Sequence, residues 1–385
     1  MRSDLKRVQE IITSIDVHSE DLFGAVVPPT FENTIYRYPD YEAVKQVAEG
    51  RAHRYGYSKN GNPTTEAVER VLAALEKGEA AKCFSSGTAA IYTVLLSVLE
   101  PGSHVITVKN VYGRTSDFLK RTFHKFNVQT TFVSGEWLEE FEEAIQPNTR
   151  LIYLESPTSW QFELQPIRAV SQLAKQHGIK VVIDNTWATP VFQNPLELGA
   201  DAVIHSASKY LGGHSDLVAG VVIGPKTWIS DLPQLGAVLS PYESAKLLRG
   251  VRTLALRMER HEQSALRIAA FLEQENKVTR VNYPGLASYH QYELAQSQMS
   301  GCSGLMSFHL DANEAGIRSF IDSLRHISIG GSWGGFESIL YAAAMSGTEA
   351  EVTARGFGFT QIRLSVGLEV ADTLLEDLHT ALQLI

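Results

Sequence analysis

Beyond about residue 60 the chain alternates between two patterns of apolar positions. Segments such as "EAVERVLAALEKG", "GTAAIYTVLLSVL" and "IRAVSQLAKQHG" repeat apolar residues every three or four places, the spacing of one helix face. Between them lie short, nearly unbroken apolar runs of strand length: "AAKCFS", "HVITV", "RLIYLES", "KVVIDN", "ADAVIHSAS" and "GVVIG". Helix and strand taking turns in this way predict an α/β fold, a mostly parallel central sheet with helices on both faces. From "SPYESAKLLRGVRTLALRMERHEQSALRIAAFLEQ" a long helical pattern takes over. It is followed by the strand-like "GLMSFHL", a helix near "AGIRSFIDSL" and a last helix, "TLLEDLHTALQLI", which together predict a smaller α+β C-terminal domain.

The segment 1–60 reads as irregular and is rich in Tyr, Pro and Asn, so it is expected to be an arm that contacts a partner subunit. The arm ends at "YGYSKNGNPTTEAVER", where Asn62 fits an N-cap and Pro63 the first helical position. The expected division is an arm at 1–60, a large cofactor-binding α/β domain at 61–245 and a small α+β domain at 246–385. A chain of 385 residues is long enough for more than one core.

Composition narrows the classes of function. With 34 Lys+Arg against 43 Asp+Glu, a net charge of −9 and no dense basic stretch, a nucleic-acid partner is not expected. Cys83 and Cys302 both lie beside apolar segments, which suggests buried thiols in a reducing, cytoplasmic setting. Neither a signal-peptide core nor an apolar run of membrane-spanning length occurs, so no membrane association is expected. The histidines show no ligand spacing, and no metal is expected.

Three stretches carry candidate chemistry. "CFSSGTAAIY" puts Ser85, Ser86, Gly87 and Thr88 at a strand-to-helix junction, where free backbone N–H groups and the helix dipole favour an anion; a plain N-cap with a tight turn would look alike. "KVVIDNTWATP" puts Asp184 at the C-terminal end of a buried strand, where ligands gather in open α/β sheets, although an aspartate capping the next turn would also fit. "ADAVIHSASKYLGG" places Ser206, Ser208 and Lys209 at the next strand end, and a lone lysine there is ordinarily solvated. Together, an anion cradle, a carboxylate and a lysine at neighbouring strand ends match the three handles of pyridoxal 5'-phosphate. The phosphate suits the helix N-terminus, the aldehyde a Schiff base with Lys209, and the pyridine nitrogen the carboxylate.

The chain also resembles the Cys/Met-metabolism group of pyridoxal-phosphate enzymes nearly end to end. The resemblance is carried by "YGYSKNGNPT", "SSGTAA", "VYGRTSDF", "LESPTS", "IDNTWATP", "SASKYLGGHSD", "LLRGVRTLALRMERH", "SWGGFES" and "IRLSVGLE". It implies the fold of the aspartate aminotransferase-like, fold type I transferases and a homotetramer built as a dimer of dimers with shared sites. By the same resemblance Tyr112 stacks on the cofactor ring and Asp184 pairs with its nitrogen. Ser86, Gly87, Thr88, Thr186, Ser206 and Ser208 surround the cofactor, with Lys209 as the covalent anchor. Tyr57 and Lys59 reach the phosphate from the partner subunit. The family usually has arginine in the place of Lys59; lysine keeps the charge but loses the bidentate fork. Arg363 clamps the substrate α-carboxylate, and Ser159, Ser332 and Trp333 line the substrate site.

Within that group "SWGG" and "SPTS" look more like the bacterial β-lyases than like the γ-enzymes, which commonly have an acidic residue where Gly331 stands and asparagine where Ser159 stands. Against this, a tyrosine that some β-lyases place at the channel mouth falls at Ala245. The resemblance thus implies a carbon–sulfur lyase acting on an amino-acid thioether such as cystathionine, with Lys209 and Tyr112 as catalytic groups. The alternatives are γ-synthase or γ-lyase chemistry on the same scaffold and, from another class, an aminotransferase, which would require a keto acid to turn over.

Overall fold

The computed structural model describes residues 2–14, 25–233 and 235–385. Seven strands form one sheet: β1 (Ala80–Phe84), β2 (His104–Val108), β3 (Gln129–Val133), β4 (Thr149–Glu155), β5 (Lys180–Asp184), β6 (Ala202–His205) and β7 (Gly220–Gly224), in the spatial order β1-β7-β6-β5-β4-β2-β3. β7 runs antiparallel to both its neighbours, while β6, β5, β4, β2 and β3 pair in parallel. Strands β2, β6 and β7 are buried along their whole length. A strand covered on both faces selects an unbroken apolar run over an alternating one, which is why these segments read as they do. Val94 of the helix that follows β1, with Ile106, Ile152, Ile183 and Val203 of the strands, belongs to the core that results.

A second sheet of five strands, β8 (Val278–Asn282), β9 (Leu305–Leu310), β10 (Ser328–Ile329), β11 (Ile339–Ala342) and β12 (Gln361–Ser365), has the order β10-β11-β12-β9-β8 and its own core around Phe308, Phe320, Leu364 and Leu378. The helix Leu254–Leu272 ties the two regions together. Its first half puts Leu254 and Met258 into a cluster with Tyr210 and Leu211, and its second half puts Ala265 and Ile268 into the core of the second sheet.

The arm differs from the irregular segment expected of it. It contains two helices, α1 (Ser3–Ser14) and α2 (Tyr41–Ala48), while residues 15–24 lie outside the described residues. Leu5, Val8 and Ile12 of α1, spaced as one helix face, are buried with Val68 and Leu72 of α3 (Pro63–Leu75). Arg7 donates to the carbonyls of Leu75 (3.1 Å) and Pro190 (3.0 Å). The start of the chain is thus part of its own subunit's core.

Asn62 caps α3 as the sequence indicated, its Oδ1 accepting from the Thr64 amide at 2.9 Å, with Pro63 at the first helical position. The other end of the same amide group donates to the Phe31 carbonyl (2.9 Å), the Tyr36 hydroxyl (3.0 Å) and the Ser58 hydroxyl (3.1 Å), so one buried side chain both starts the helix and pins the arm. We expect Asn62→Ala to cost about 2 to 3 kcal/mol, the sum of a lost cap and a stranded buried carbonyl. Asn62→Asp, which keeps the acceptor and loses the donors, should fall between the two. Denaturant midpoints of the three proteins check this; equal midpoints for Asn62→Ala and the parent would refute it.

Candidate active site

Four strands of the large sheet, β1, β6, β5 and β4, end on the same side of it, with β7 running between β1 and β6, and each delivers a polar group there. β1 runs through Ser85 and Ser86 into α4 (Gly87–Val98), whose N-cap is Ser86, with its hydroxyl accepting from the Ala89 amide at 3.1 Å. The amides of Gly87 and Thr88 occupy the first helical turn, where no preceding carbonyl is in reach, so they remain available to an anion. β6 brings Ser206 alongside: a Cβ on Gly87 would lie 2.8 Å from the Ser206 Cβ and 2.9 Å from its hydroxyl. The missing side chain is what leaves the cradle open. Ser208 adds a second hydroxyl, bonded to the carbonyl (3.2 Å) and amide (2.9 Å) of Ala219.

β5 ends in Asp184. Its Oδ1 accepts from the Thr186 amide at 3.0 Å and from the Thr186 hydroxyl, which in turn accepts from the Ser206 amide at 2.8 Å. A short polar chain therefore fixes the carboxylate relative to the anion cradle. β4 ends one strand over in Glu155, in register with Asp184. Glu155 accepts from the Tyr112 amide at 2.7 Å and from the Ser159 hydroxyl. Burial and the neighbouring Asp184 push its carboxyl from the ordinary 4.5 up to about 8. Asp184 is also raised by burial, with the Thr186 hydroxyl and amide opposing.

The turn after β6 carries Lys209. Its Nζ donates to the Ser332 hydroxyl at 2.6 Å and lies 5.5 Å from the centre of the Trp333 ring. Burial, then the charge of Arg363, lowers its ammonium from the ordinary 10.5 to about 8. An amine in that range is divided between its charged and neutral forms near neutral pH, as a base or nucleophile requires. Arg363 on β12 donates to the Gly331 carbonyl at 3.1 Å, and no carboxylate among the described residues lies within ion-pair distance. Burial brings its guanidinium down to about 10.

These groups surround a cavity of about 480 Å³ lined by Ser86, Gly87, Thr88, Tyr112, Ser159, Asp184, Thr186, Ser206, Ser208, Lys209, Ser332, Trp333 and Arg363. Tyr57 and Lys59 are not among the lining residues; both are exposed in the arm, Tyr57 by 44%. An open anion cradle, a buried carboxylate without a cation and an amine of lowered pKa fit pyridoxal phosphate.

Several lining or supporting residues escape a reading of the sequence. Glu155 left a signal, since "RLIYLE" ends in an acid after an apolar run just as "KVVID" does. Ser215 donates to Glu337 at 2.6 Å across the cavity rim, a contact between segments too distant for any local pattern to reveal. Arg257 of the long helix is buried, its guanidinium donating to the carbonyls of Tyr210 (2.7 Å) and Gly250 (2.8 Å) and to Thr253 Oγ1 (3.0 Å), and so holds the turn that bears Lys209.

The raised carboxyl of Glu155 has a measurable consequence. Folding lifts it above its unfolded value, so the stability it contributes is complete below about pH 4.5 and is lost as the pH rises to about 8. Glutamine at this position has no proton to lose. The stability of Glu155→Gln relative to the parent apoprotein should therefore climb between those limits and level off above, as read from melting temperatures across pH. A pH-independent difference would show that Glu155 titrates as an ordinary carboxylate.

The chain matches the model of the family described as Cys/Met metabolism PLP-dependent enzyme over residues 12–383. It is 40% identical over 374 residues to the L-methionine gamma-lyase of Pseudomonas putida, covering 94% of each chain. It is 38% identical over 377 residues to the cystathionine beta-lyase of Lactococcus lactis subsp. cremoris, covering 95% of this chain and 96% of that one. Among solved structures, a crystal structure of cystathionine gamma-lyase from Lactobacillus plantarum complexed with L-serine superposes with a TM-score of 0.90 at 34% identity, over 100% of this chain and 99% of the other. With the cradle, the carboxylate and the lysine assembled on three strand ends, the chain belongs to the pyridoxal-phosphate-dependent enzymes of Cys/Met metabolism.

Proposed function

We propose that this protein is a carbon–sulfur lyase that eliminates the thiol from cystathionine or a related cysteine thioether, consuming water and releasing pyruvate, ammonia and a thiol such as homocysteine. The observation that carries the reading is the lysine amine, neutral in part near pH 8 and bonded to Ser332, in one cavity with Asp184 and Arg363, neither of which has an oppositely charged partner within ion-pair distance among the described residues. Pyridoxal phosphate, when bound, supplies an electron sink that acidifies the Cα–H of an attached amino acid. The amides of Gly87 and Thr88 and the hydroxyls of Ser86, Ser206 and Ser208 would hold its phosphate, and Asp184, steadied by Thr186, its ring nitrogen. Tyr112, half-exposed at the cavity wall, would cover the ring.

The remaining work falls to the chain's own groups. Arg363 binds the α-carboxylate and so orients the Cα–H, with Ser159 beside it. Lys209 Nζ takes the α-proton, and Ser332 holds the amine in place for that transfer. Tyr112 hands a proton to the departing sulfur. Trp333, half-buried against Tyr210 at 5.5 Å between ring centres, limits how the substrate's side chain can turn.

Elimination at Cγ is the second reading, favoured by the relatives named as γ-lyases, among them a Bacillus subtilis cystathionine gamma-lyase 38% identical over 377 residues. It requires a further proton to be taken from Cβ. Gly331 supplies no side chain for that, and Trp333 narrows the space for the longer rearrangement, which supports the β reading. The partner-facing arm belongs to the same proposal. Val26, Val27, Ile35 and Tyr41 are 62 to 82% exposed there. An apolar strip of this kind suits burial against a second copy, with Tyr57 and Lys59 completing that copy's phosphate site, and two such dimers forming a tetramer. Buried free thiols at Cys83 and Cys302 fit a cytoplasmic location.

Two measurements test these assignments. Cystathionine should yield pyruvate and homocysteine without an added keto acid, and Trp333→Leu should raise the minor share of 2-oxobutyrate; predominant 2-oxobutyrate from the parent enzyme would overturn the β reading in favour of the γ one. Coexpression of an inactive Lys209→Ala chain with an inactive chain carrying Tyr57→Ala and Lys59→Ala should restore partial activity, because one site of each hybrid pair is intact. Hybrids that form and stay inactive would mean that Tyr57 and Lys59 serve their own chain.

A further inference from the structure

Arg363 does not stand alone on its strand. Its direct neighbour across β11 is Tyr341 and across β9 is Ser307, so the three occupy one row across the sheet. Trp160, which follows Ser159 on the loop from β4, covers that row. Its indole centre lies 4.7 Å from the Arg363 guanidinium carbon and 6.3 Å from the Tyr341 ring, and its carbonyl accepts from Ser307 Oγ at 2.9 Å and from Gln361 Nε2 at 3.0 Å. Phe357 backs the indole at 5.0 Å. A loop of the large sheet thus supplies an aromatic face to a cation of the small one.

A guanidinium carries its N–H donors in its plane and its polarisable surface on its faces. An aromatic ring on one face stabilises the charge without occupying a donor. Among the described residues only one of the donors is taken, by the Gly331 carbonyl, and no carboxylate competes for the rest. A cation in this position needs stabilisation that leaves its hydrogen-bonding edge free, and Trp160 offers that. Resting on the reading of Arg363 as the α-carboxylate anchor, we propose that Trp160 is a positioning residue for substrate recognition: it holds the guanidinium so that its free edge meets the carboxylate of an amino-acid ligand.

The test uses the holoenzyme and its visible spectrum, titrated with glycine and with methylamine, an amine that lacks the carboxylate. Trp160→Leu should weaken glycine by about ten- to thirtyfold, the size of a desolvated cation–π contact. Methylamine binding should not change. Trp160→Phe, which keeps a smaller ring, should lose only part of the effect, and it carries the test if the leucine variant does not fold. In an Arg363→Ala background, Trp160→Leu should add no further loss for glycine. Equal weakening of both ligands, no weakening of either, or losses that multiply in the double variant would overturn the proposal and leave Trp160 as packing between two sheets. Glycine binding that survives Arg363→Ala would instead remove the anchor reading and this proposal with it, whereas loss in Arg363→Ala but not in Trp160→Leu would remove this proposal alone.

Discussion

A reactive lysine must be kept from swinging out to solvent, and here the burden falls on one buried guanidinium. Arg257 is 5% exposed and has no carboxylate within ion-pair distance among the described residues. Its charge is met by the carbonyls of Tyr210 and of Gly250, the latter in the last turn of the helix Pro241–Val251, where the helix dipole favours a cation. The turn closes so tightly on this group that a Cβ on Gly213, at φ +71°, would lie 2.1 Å from the guanidinium. Arg257 thereby ties the turn bearing Lys209 to a helix that both cores share.

From that constraint the electrostatics of the site follow. Carboxylates arrive from the large sheet, as Glu155 and Asp184 at the ends of adjacent parallel strands, and the free cation Arg363 arrives from the small one. Strand geometry keeps each group in its place, so they cannot collapse into mutual salt bridges. What remains, among the described residues, is a cavity in which Asp184 has no cation and Arg363 no carboxylate within ion-pair distance, while the Lys209 amine has lost part of its affinity for a proton. On the function proposed above, each imbalance would be relieved by a different part of a bound cofactor and amino acid. Buried polar groups left open in this way cost stability, which is why Thr186, Ser159 and Tyr112 donate to the carboxyls and Ser332 accepts from the amine.

Legibility in the sequence follows the same physical lines. Most of the large sheet was readable because strands buried on both faces must be apolar throughout, and Asp184 and Lys209 stood out as polar residues where such runs end; the edge strand β3, "QTTFV", is only partly buried and gave no such run. The N-cap at Asn62 was readable because capping is local chemistry. The helix α1 was obscured by its setting: it is 12 residues long, and its four apolar positions, Leu5, Val8, Ile11 and Ile12, find their partners far along the chain. Trp160 and the pair Ser215 and Glu337 act through contacts that exist only after two sheets have packed, and Arg257 reaches back 47 residues to the Tyr210 carbonyl, so no local spacing could announce them. Glu155 lies between these cases, visible as an acid at a strand end but distinguished only by its register with Asp184.

The division between rigid and variable parts explains how one scaffold hosts related chemistries. Groups suited to holding a cofactor sit at the ends of strands within an unbroken core, where a small displacement would disturb packing on both faces of the sheet. The cavity-lining residues Gly331, Ser332 and Trp333, proposed above to face the substrate's distal side chain, sit instead on the loop between β10 and β11. That loop is secured from its far side, where Glu369 accepts from the Ser338 amide at 2.6 Å and hydroxyl at 2.8 Å, and the Leu368 amide donates to the Phe336 carbonyl at 2.7 Å. Fixed at its base by these bonds, the loop meets Lys209 at its tip through Ser332, which leaves positions 331 and 333 as the ones whose side chains make no hydrogen bond to the lysine. On the function proposed above, substitution there would shift which carbon loses its substituent, whereas substitution at the strand ends would remove the reaction altogether.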